Sequence, residues 1–526
     1  MVSKPLSESG SGQVKSSLVQ RGIRSVLYNY LGRFVSQVIG FFVNIYVIRK
    51  LSIQVYGEYN LLFSILAYVS LFASLGLVNV FQRYIPELEA KEQFRKINTL
   101  IWWGILGRFG CTILLVSLLF VFSGPFGAWL HIPRLSEYLR IFGGVIILTG
   151  LALLVEAALN SLLMQFATNW GLLMAAILRG VGFYYVVTHQ LGLKGLLIVE
   201  LLSVLIRVAI LVWSYFTKAL KLHRLSRIQV RKDGGAIDRR RVGKYAGWAY
   251  LNDVGFLFYN TDTDNFVISN YLGNIAVGAY AFAGKVTGMF EGWAPHLMAA
   301  NVITPLFFRH YAKTQDKVEL NKMFNMLNKV AYGFFVPFLV GMLATHQQTI
   351  GLLFGEKYLS ATWVLIGVLF FDALNAYQYP LGLVVFAIEK NQINFYSRIF
   401  SLYNLIMDLI LVRLWGITGV MIATGTAITL KNLFIYVYTT RYVKLHWEWM
   451  SYFKIIINSL IMGGVVILMR GFVVNMITLA LVVSLGAFVY VILTFINSIF
   501  NNTEKDLLRG FLPQKISSMP LIKRVL

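Results

Sequence analysis

Charge is what this chain has least of. Asp, Glu, Lys and Arg make up 13% of its 526 residues, about half the share of an ordinary soluble protein. With 57% hydrophobic residues, too little polar side chain remains to cover a globular core, and a soluble fold is excluded. Cysteine is all but missing. The one cysteine, Cys111, lies in an apolar run, so no disulfide or cysteine metal site forms within the chain, and it reads as a small buried residue. The seven histidines are scattered. No Walker A, H-E-x-x-H or G-x-S-x-G pattern occurs. We therefore expect no metal site, no cofactor and no direct ATP drive. A cleavable signal peptide is also not evident, because the first 20 residues are polar and Ser/Gly/Lys-rich.

Long apolar runs take their place. About fourteen, each about 20 residues or longer, suit a hydrocarbon core about 30 Å thick. Their centres fall near residues 37, 69, 110, 150, 178, 205, 257, 289, 335, 372, 402, 428, 461 and 486. The run near 257 is weakened by Asp253, Asp262 and Asp264. Two halves echo each other. Leu51 to Tyr59 and Leu272 to Tyr280 both read L-x5-G-x-Y, and their apolar segments run out near Pro86 and Pro305. Phe126-Gly127 returns as Phe354-Gly355, and Gly192-x-x-Gly195 as Gly416-x-x-Gly419. The offsets are 221, 228 and 224 residues. An even number of runs separates the two L-x5-G-x-Y motifs, so the halves are parallel repeats.

The expected fold is an all-α polytopic membrane protein with about 14 transmembrane helices. Two parallel six-helix lobes surround a central cavity, and two further helices follow. The expected boundaries are a disordered tail 1–20, a first lobe 21–217, a basic loop 218–244, a second lobe 245–446, two added helices 447–500 and a tail 501–526.

The formal charge of +24 suggests nucleic acid only until its placement is considered. Segment 218–244 alone carries ten basic residues, and Arg21, Arg24, Lys91, Arg95, Lys505 and Arg509 fall on the same expected side. By the positive-inside rule both termini are cytoplasmic, in the cell (inner) membrane. The charge then speaks for anionic membrane lipids, not nucleic acid.

Polar groups at membrane depth each need a reason. Asn29, Arg33, Gln37, Gly40 and Asn44 fall within an arc of about 80° on a helix. Such a stripe walls a hydrated cavity with Arg33 as an anion contact, or it packs against another helix. Asp253, Asn260 and Asp264 share one face of the seventh run. Asp264 is expected to be a proton or cation site, or a partner of Arg33 or Lys285. The alternative reading, Asp262-Thr-Asp264 as a glycosyltransferase D-x-D, conflicts with its place inside a span. Lys285 has Gly288 and Gly292 on its face, followed by Glu291, Pro295 and His296, which suits a cavity contact or close packing. Glu156 and Arg179 are expected to pair, and Asn394, Arg398, Ser401 and Asp408 form a looser stripe.

Leu51 to Glu87 resembles the second span of Wzx-type oligosaccharide flippases. Asp264 to Pro305 resembles the seventh and eighth spans of that family, and 354–371 and 415–428 its later ones. The resemblance implies the multidrug/oligosaccharidyl-lipid/polysaccharide exporter superfamily. It also implies a central cavity lined by spans one, two, seven and eight. Such proteins flip polyprenyl-diphosphate-linked oligosaccharides to the outer leaflet for surface polysaccharide biosynthesis, by alternating access. They are transporters, not enzymes.

Family cavities are typically cationic, which points to Arg33, Lys285, Asn29, Gln37 and Asn44 as substrate-phosphate candidates. Asp264, Asp253 and Glu291 are then candidates for coupling to H+ or Na+. Polysaccharide polymerase and chain-length proteins are expected partners. The two added spans resemble those of fourteen-span lipid II flippases. The alternatives are a multidrug/cation antiporter of the same superfamily, a membrane-embedded polymerase or ligase, and a scaffold recruiting enzymes through 218–244.

Overall fold

The computed structural model describes residues 34–162, 164–228, 238–255, 261–501 and 504. Asn29, Arg33, Asn260, the tail 1–20 and nearly all of 501–526 lie outside them. Every regular element among the described residues is a helix. That is the arrangement lipid demands of an open chain, since each backbone N–H finds its carbonyl within the same segment.

The chain divides into two compact units. The first holds the residues up to Leu51 and Leu62–Gly255; the second holds Ser52–Leu61 and everything from Phe256 on. Helices of the first unit are α1 (34–50), most of α2 (Ile53–Phe72), α3 (Leu77–Ala90), α4 (Phe94–Val121), α5 (Ser123–Trp129), α6 (Leu135–Ser161), α7 (Gln165–Thr188), α8 (Gly192–Ile228) and α9 (Arg239–Val254). The second contains α10 (Thr261–Leu272), α11 (Asn274–Glu291), α12 (Pro295–Met298), α13 (Ala300–Thr314), α14 (Lys317–Leu353), α15 (Thr362–Leu374) and α16 (Gln378–Ala387). It continues through α17 (Asn391–Tyr396), α18 (Ile399–Thr440, two helical stretches joined by a kink at Gly416), α19 (Trp449–Met469) and α20 (Met476–Ile496).

Ten stretches among the described residues are long and apolar enough to cross a membrane. They cover eleven of the fourteen expected runs, because Asn391–Thr440 holds the runs near 402 and 428 together. The run near 257 falls across the end of α9, the start of α10 and residues outside the described ones. Large apolar side chains remain outward, including Trp213 at 74%, Ile477 at 73% and Leu468 at 80% exposure. Water does not tolerate such a surface, but hydrocarbon does. The protein is a multi-pass membrane protein. The basic segment is largely helical where it is described: α8 runs on to Ile228, and α9 opens at Arg239.

Backbone conformation repeats with the sequence. Gly192 and Gly416 both sit at positive φ, 62° and 59°, where a side chain would be strained. Each turns the chain tightly ahead of a helix whose next glycine, Gly195 or Gly419, is pressed against the preceding segment. Gly57 and Gly278 make a reciprocal contact inside the second unit. A Cβ on Gly57 would lie 1.9 Å from the Asn274 carbonyl oxygen, and one on Gly278 would lie 2.1 Å from that of Ile53. The first turns of α2 and α11 therefore cross backbone to backbone. The Phe-Gly echo does not carry over: Gly127 is helical in α5, whereas Gly355 turns at φ 98°.

Both repeats also break after this crossing. α2 stops at Phe72 and α3 starts at Leu77, while α11 stops at Glu291 and α12 starts at Pro295. Discontinuous helices at membrane depth are tolerated where they line a cavity.

Candidate functional site

The second unit buries a carboxylate pair. Asp264 on α10 and Asp408 on α18 are both fully inaccessible. The Tyr280 hydroxyl donates to Asp264 Oδ2 at 2.6 Å and the Thr424 hydroxyl at 3.0 Å. The Asn404 amide donates to Asp408 Oδ2 at 3.1 Å and to Asp264 Oδ1 at 3.5 Å. Asn404 thus bridges the two carboxyl groups, which lie together in one buried cluster. Asp408 Oδ1 has no hydrogen-bond partner. Asn404 and Asp408 lie one helical turn apart on α18, so they present one face to α10. Of this cluster, sequence reasoning singled out Asp264 and placed Asp408 only in a loose stripe. It named Tyr280 only as the last residue of the second L-x5-G-x-Y motif and passed over Asn404 and Thr424, although the Asn404–Asp408 spacing is a readable signal.

The break after α11 opens on a cavity of about 930 Å³. Glu291 closes α11 at its rim, His296 and Leu297 come from α12, Asp372 and Asn375 from the end of α15, and Gln378 and Tyr379 from α16. Asn432, fully buried on α18, donates to Asn375 Oδ1 at 2.9 Å and Gln378 Oε1 at 3.2 Å. Asn375 in turn donates to the Thr429 hydroxyl and the Phe371 carbonyl, each at 2.9 Å. These bonds fix the polar wall before any ligand arrives.

A second, mostly apolar groove of about 480 Å³ runs among α14, α19 and α20. Phe290 and Phe334 line this groove, while their chain neighbours Glu291 and Phe335 line the cavity at the α11 break. A cavity with one polar wall and an apolar groove thus lie back to back across single residue steps.

The other expected residues are dispersed. Gln37 is exposed and Asn44 half-buried on α1, in the first unit. α1 packs on α7, with Tyr46 and Tyr184 rings 5.8 Å apart. Lys285 is exposed on α11 and does not line the 930 Å³ cavity. Asp253 receives the Asn79 amide at 3.5 Å and acts electrostatically on Arg108, which is buried at 3% exposure. The expected Glu156–Arg179 pair does not form. Arg179 bonds Glu200 at 2.7 Å, and Arg207 bonds Glu156. α8 packs against both α6 and α7 and brings a partner to each, which spacing along the chain does not disclose. Among the described residues no cluster of three or more His, Cys, Asp or Glu could hold a metal ion.

A family model described as polysaccharide biosynthesis protein matches residues 47–362, more than half of the chain. The chain is 23% identical over 277 residues to the probable low-salt glycan biosynthesis flippase Agl15 of Haloferax volcanii. That match covers 51% of this chain and 57% of the relative. It is 24% identical over 198 residues to the lipopolysaccharide biosynthesis protein WzxC of Escherichia coli, covering 38% of each. The alignments therefore span less than two thirds of either relative's length. The solved structure of lipid II flippase MurJ in an inward closed conformation superposes with a TM-score of 0.70, covering 92% of this chain and all of that one. At 18% identity this likeness concerns the fold.

Proposed function

This chain belongs to the polysaccharide biosynthesis protein family, and from that premise we propose that it flips a polyprenyl-diphosphate-linked oligosaccharide from the cytoplasmic to the outer leaflet. The observation that carries this reading is the adjacency of the two volumes in the second unit. A substrate with a hydrophilic head and an isoprenoid tail needs polar and apolar room side by side. The steps Phe290–Glu291 and Phe334–Phe335 supply it. The names of the relatives, a glycan biosynthesis flippase and a lipopolysaccharide biosynthesis protein, support the same substrate class. The head enters the cavity at the α11 break, and the tail lies along α14, α19 and α20.

Energy comes from an ion. Asp264 and Asp408 share a proton in one state and exchange it, or replace it with Na+, in another, because two adjacent buried carboxylates do not both ionise without a cation. Alternating access couples that exchange to the head-group site. Arg33, Asn29, Gln37, Asn44 and Lys285 remain the substrate-phosphate contacts in this reading, and Asp253 keeps its place against Arg108. Both termini face the cytoplasm of the inner membrane, the basic segment meets anionic lipids, and polymerase and chain-length proteins take up the delivered units.

One observation favours a second reading. Glu291 and Asp372 give the cavity two carboxylates, with no lysine or arginine among its described lining residues, which also suits a lipophilic cation and hence a multidrug antiporter. Proteoliposomes separate the two. Lipid-linked oligosaccharide extracted from a strain lacking this protein should cross in seconds to minutes under a pH or Na+ gradient, while tetraphenylphosphonium should move no faster than in protein-free liposomes. Asp264→Asn should abolish the gradient dependence. Gradient-driven tetraphenylphosphonium uptake with no movement of the glycolipid would refute the flippase reading.

A further inference from the structure

The cavity at the α11 break has chemistry that a diphosphate would not choose. Its acidic walls are Glu291 and Asp372, and its described lining residues include no lysine or arginine. In a site of low dielectric, like charges a few ångströms apart repel strongly. We propose that this cavity is the sugar-reading pocket: it seats a neutral or amino-bearing hexose of the head group and refuses uronic and other acidic sugars. The inference rests on the flippase reading above and names which part of the substrate this site takes.

A sugar hydroxyl both donates and accepts, so its pocket must offer both in fixed positions, and this wall does. Asn432 occupies the Gln378 carbonyl oxygen at 3.2 Å, which leaves the Gln378 amide hydrogens as donors. Thr304 and Tyr379 share a hydroxyl hydrogen bond at 2.9 Å, and one hydroxyl proton of the pair remains to be donated. His296 lines the cavity at 2% exposure, with Nδ1 lacking a hydrogen-bond partner. Burial without a partner is costly for a polar atom, and a ligand hydroxyl would satisfy it. Glu291 and Asp372 supply the acceptors.

Aromatic faces complete the site. The Phe335 and Tyr379 rings flank His296 at 6.0 and 5.8 Å, and they offer flat apolar surface to the C–H face of a pyranose. The volume, about 930 Å³, lies within the range of small-ligand pockets, roughly 300–1,000 Å³, and exceeds the needs of one hexose. The diphosphate stays outside, beyond the carboxylates.

The test uses the full-length protein in lipid nanodiscs and three probes: farnesyl diphosphate, glucosyl farnesyl diphosphate and glucuronosyl farnesyl diphosphate. Dissociation constants are measured by calorimetry. The glucosyl probe should bind at least about tenfold tighter than the bare diphosphate and about tenfold tighter than the glucuronosyl probe, the scale of one lost or opposed buried hydrogen bond. Asp372→Asn should bring the glucosyl/glucuronosyl ratio close to one. Gln378→Ala should erase the gain of glucosyl over bare probe. Thermal unfolding is the fold control, and Glu291→Gln carries the charge test if Asp372→Asn does not fold. Equal wild-type affinity for the bare and glucosyl probes would overturn the pocket assignment and leave the flippase reading standing. A wild-type preference for the glucuronosyl probe, or an undiminished ratio in the folded charge variants, would do the same. Failure of all three probes to bind would overturn the flippase reading itself.

Discussion

Alanine at Gly57 is the smallest change with the largest expected consequence. Its Cβ would sit 1.9 Å from the Asn274 carbonyl oxygen, whereas ordinary contact begins near 3.4 Å. The first turn of α2 must therefore withdraw from α11 by about 1.5 Å, the difference between those distances. Overpacking of this kind costs about 1–3 kcal/mol. Alanine at Gly278 meets the mirror obstacle, the Ile53 carbonyl at 2.1 Å, and should cost about as much. Because the contact is reciprocal, one displacement makes room for both methyl groups. The double variant should then be less destabilised than the sum of the singles by about 1 kcal/mol or more, beyond the 0.3–0.5 kcal/mol scatter of independent sites. Gly40, with nothing within 4 Å of its Cβ position, is the control, and alanine there should be neutral or stabilising by about 0.5–1 kcal/mol. Reversible denaturation in mixed micelles measures all four variants. Wild-type stability of Gly57→Ala, or strict additivity of the pair, would refute the crossing.

Lys329 is completely buried, and its ammonium holds Glu504 at 2.7 Å and Glu448 at 2.6 Å. Lys329→Met leaves the buried Glu504 carboxylate uncompensated and should cost about 3–5 kcal/mol; adding Glu504→Gln should recover part of the loss, and a near-silent single variant would contradict the pairing. Glu87, outside the spans, is held below the ordinary carboxylate range, first by its hydrogen bond to Lys91 and then by Arg241. The tie to α9 is therefore present at neutral pH and lost as pH falls through that lowered value. Protection from hydrogen exchange in the first turn of α9, corrected for the intrinsic rate at each pH, should fall in acid for wild type and be low at all pH values in Glu87→Gln; matching profiles would disprove it.

Periodicity and repetition made the architecture legible. Apolar run length marked the spans, and the Gly-x-x-Gly echo marked two turns whose backbones do agree at Gly192 and Gly416. L-x5-G-x-Y marked the two helix starts that cross at Gly57 and Gly278. Helix neighbours were not legible. Arg179 and Arg207 each found a carboxylate on a helix that only packing identifies. Asp264 stood out because a carboxylate inside an apolar run is conspicuous. Its partners Asn404 and Thr424 did not, since neutral polar residues are common in such runs, and Tyr280 stood out only as the tyrosine of the repeat motif, not as a partner of Asp264. The cavity behind Glu291 is assembled from five short segments spanning 291–428, and no local pattern links Asp372 to His296. Arg33 and Asn29, on which the cationic stripe rested, fall outside the described residues.

The central claim concerns where a lipid-linked glycan resides when this protein is missing. In a deletion strain, polyprenyl-diphosphate-linked oligosaccharide is quantified and its leaflet determined with an impermeant sugar-oxidising reagent. The account predicts complete units accumulating on the cytoplasmic face, cleared by the wild-type gene and not by Asp264→Asn. Complete units reaching the outer leaflet at normal levels would contradict it.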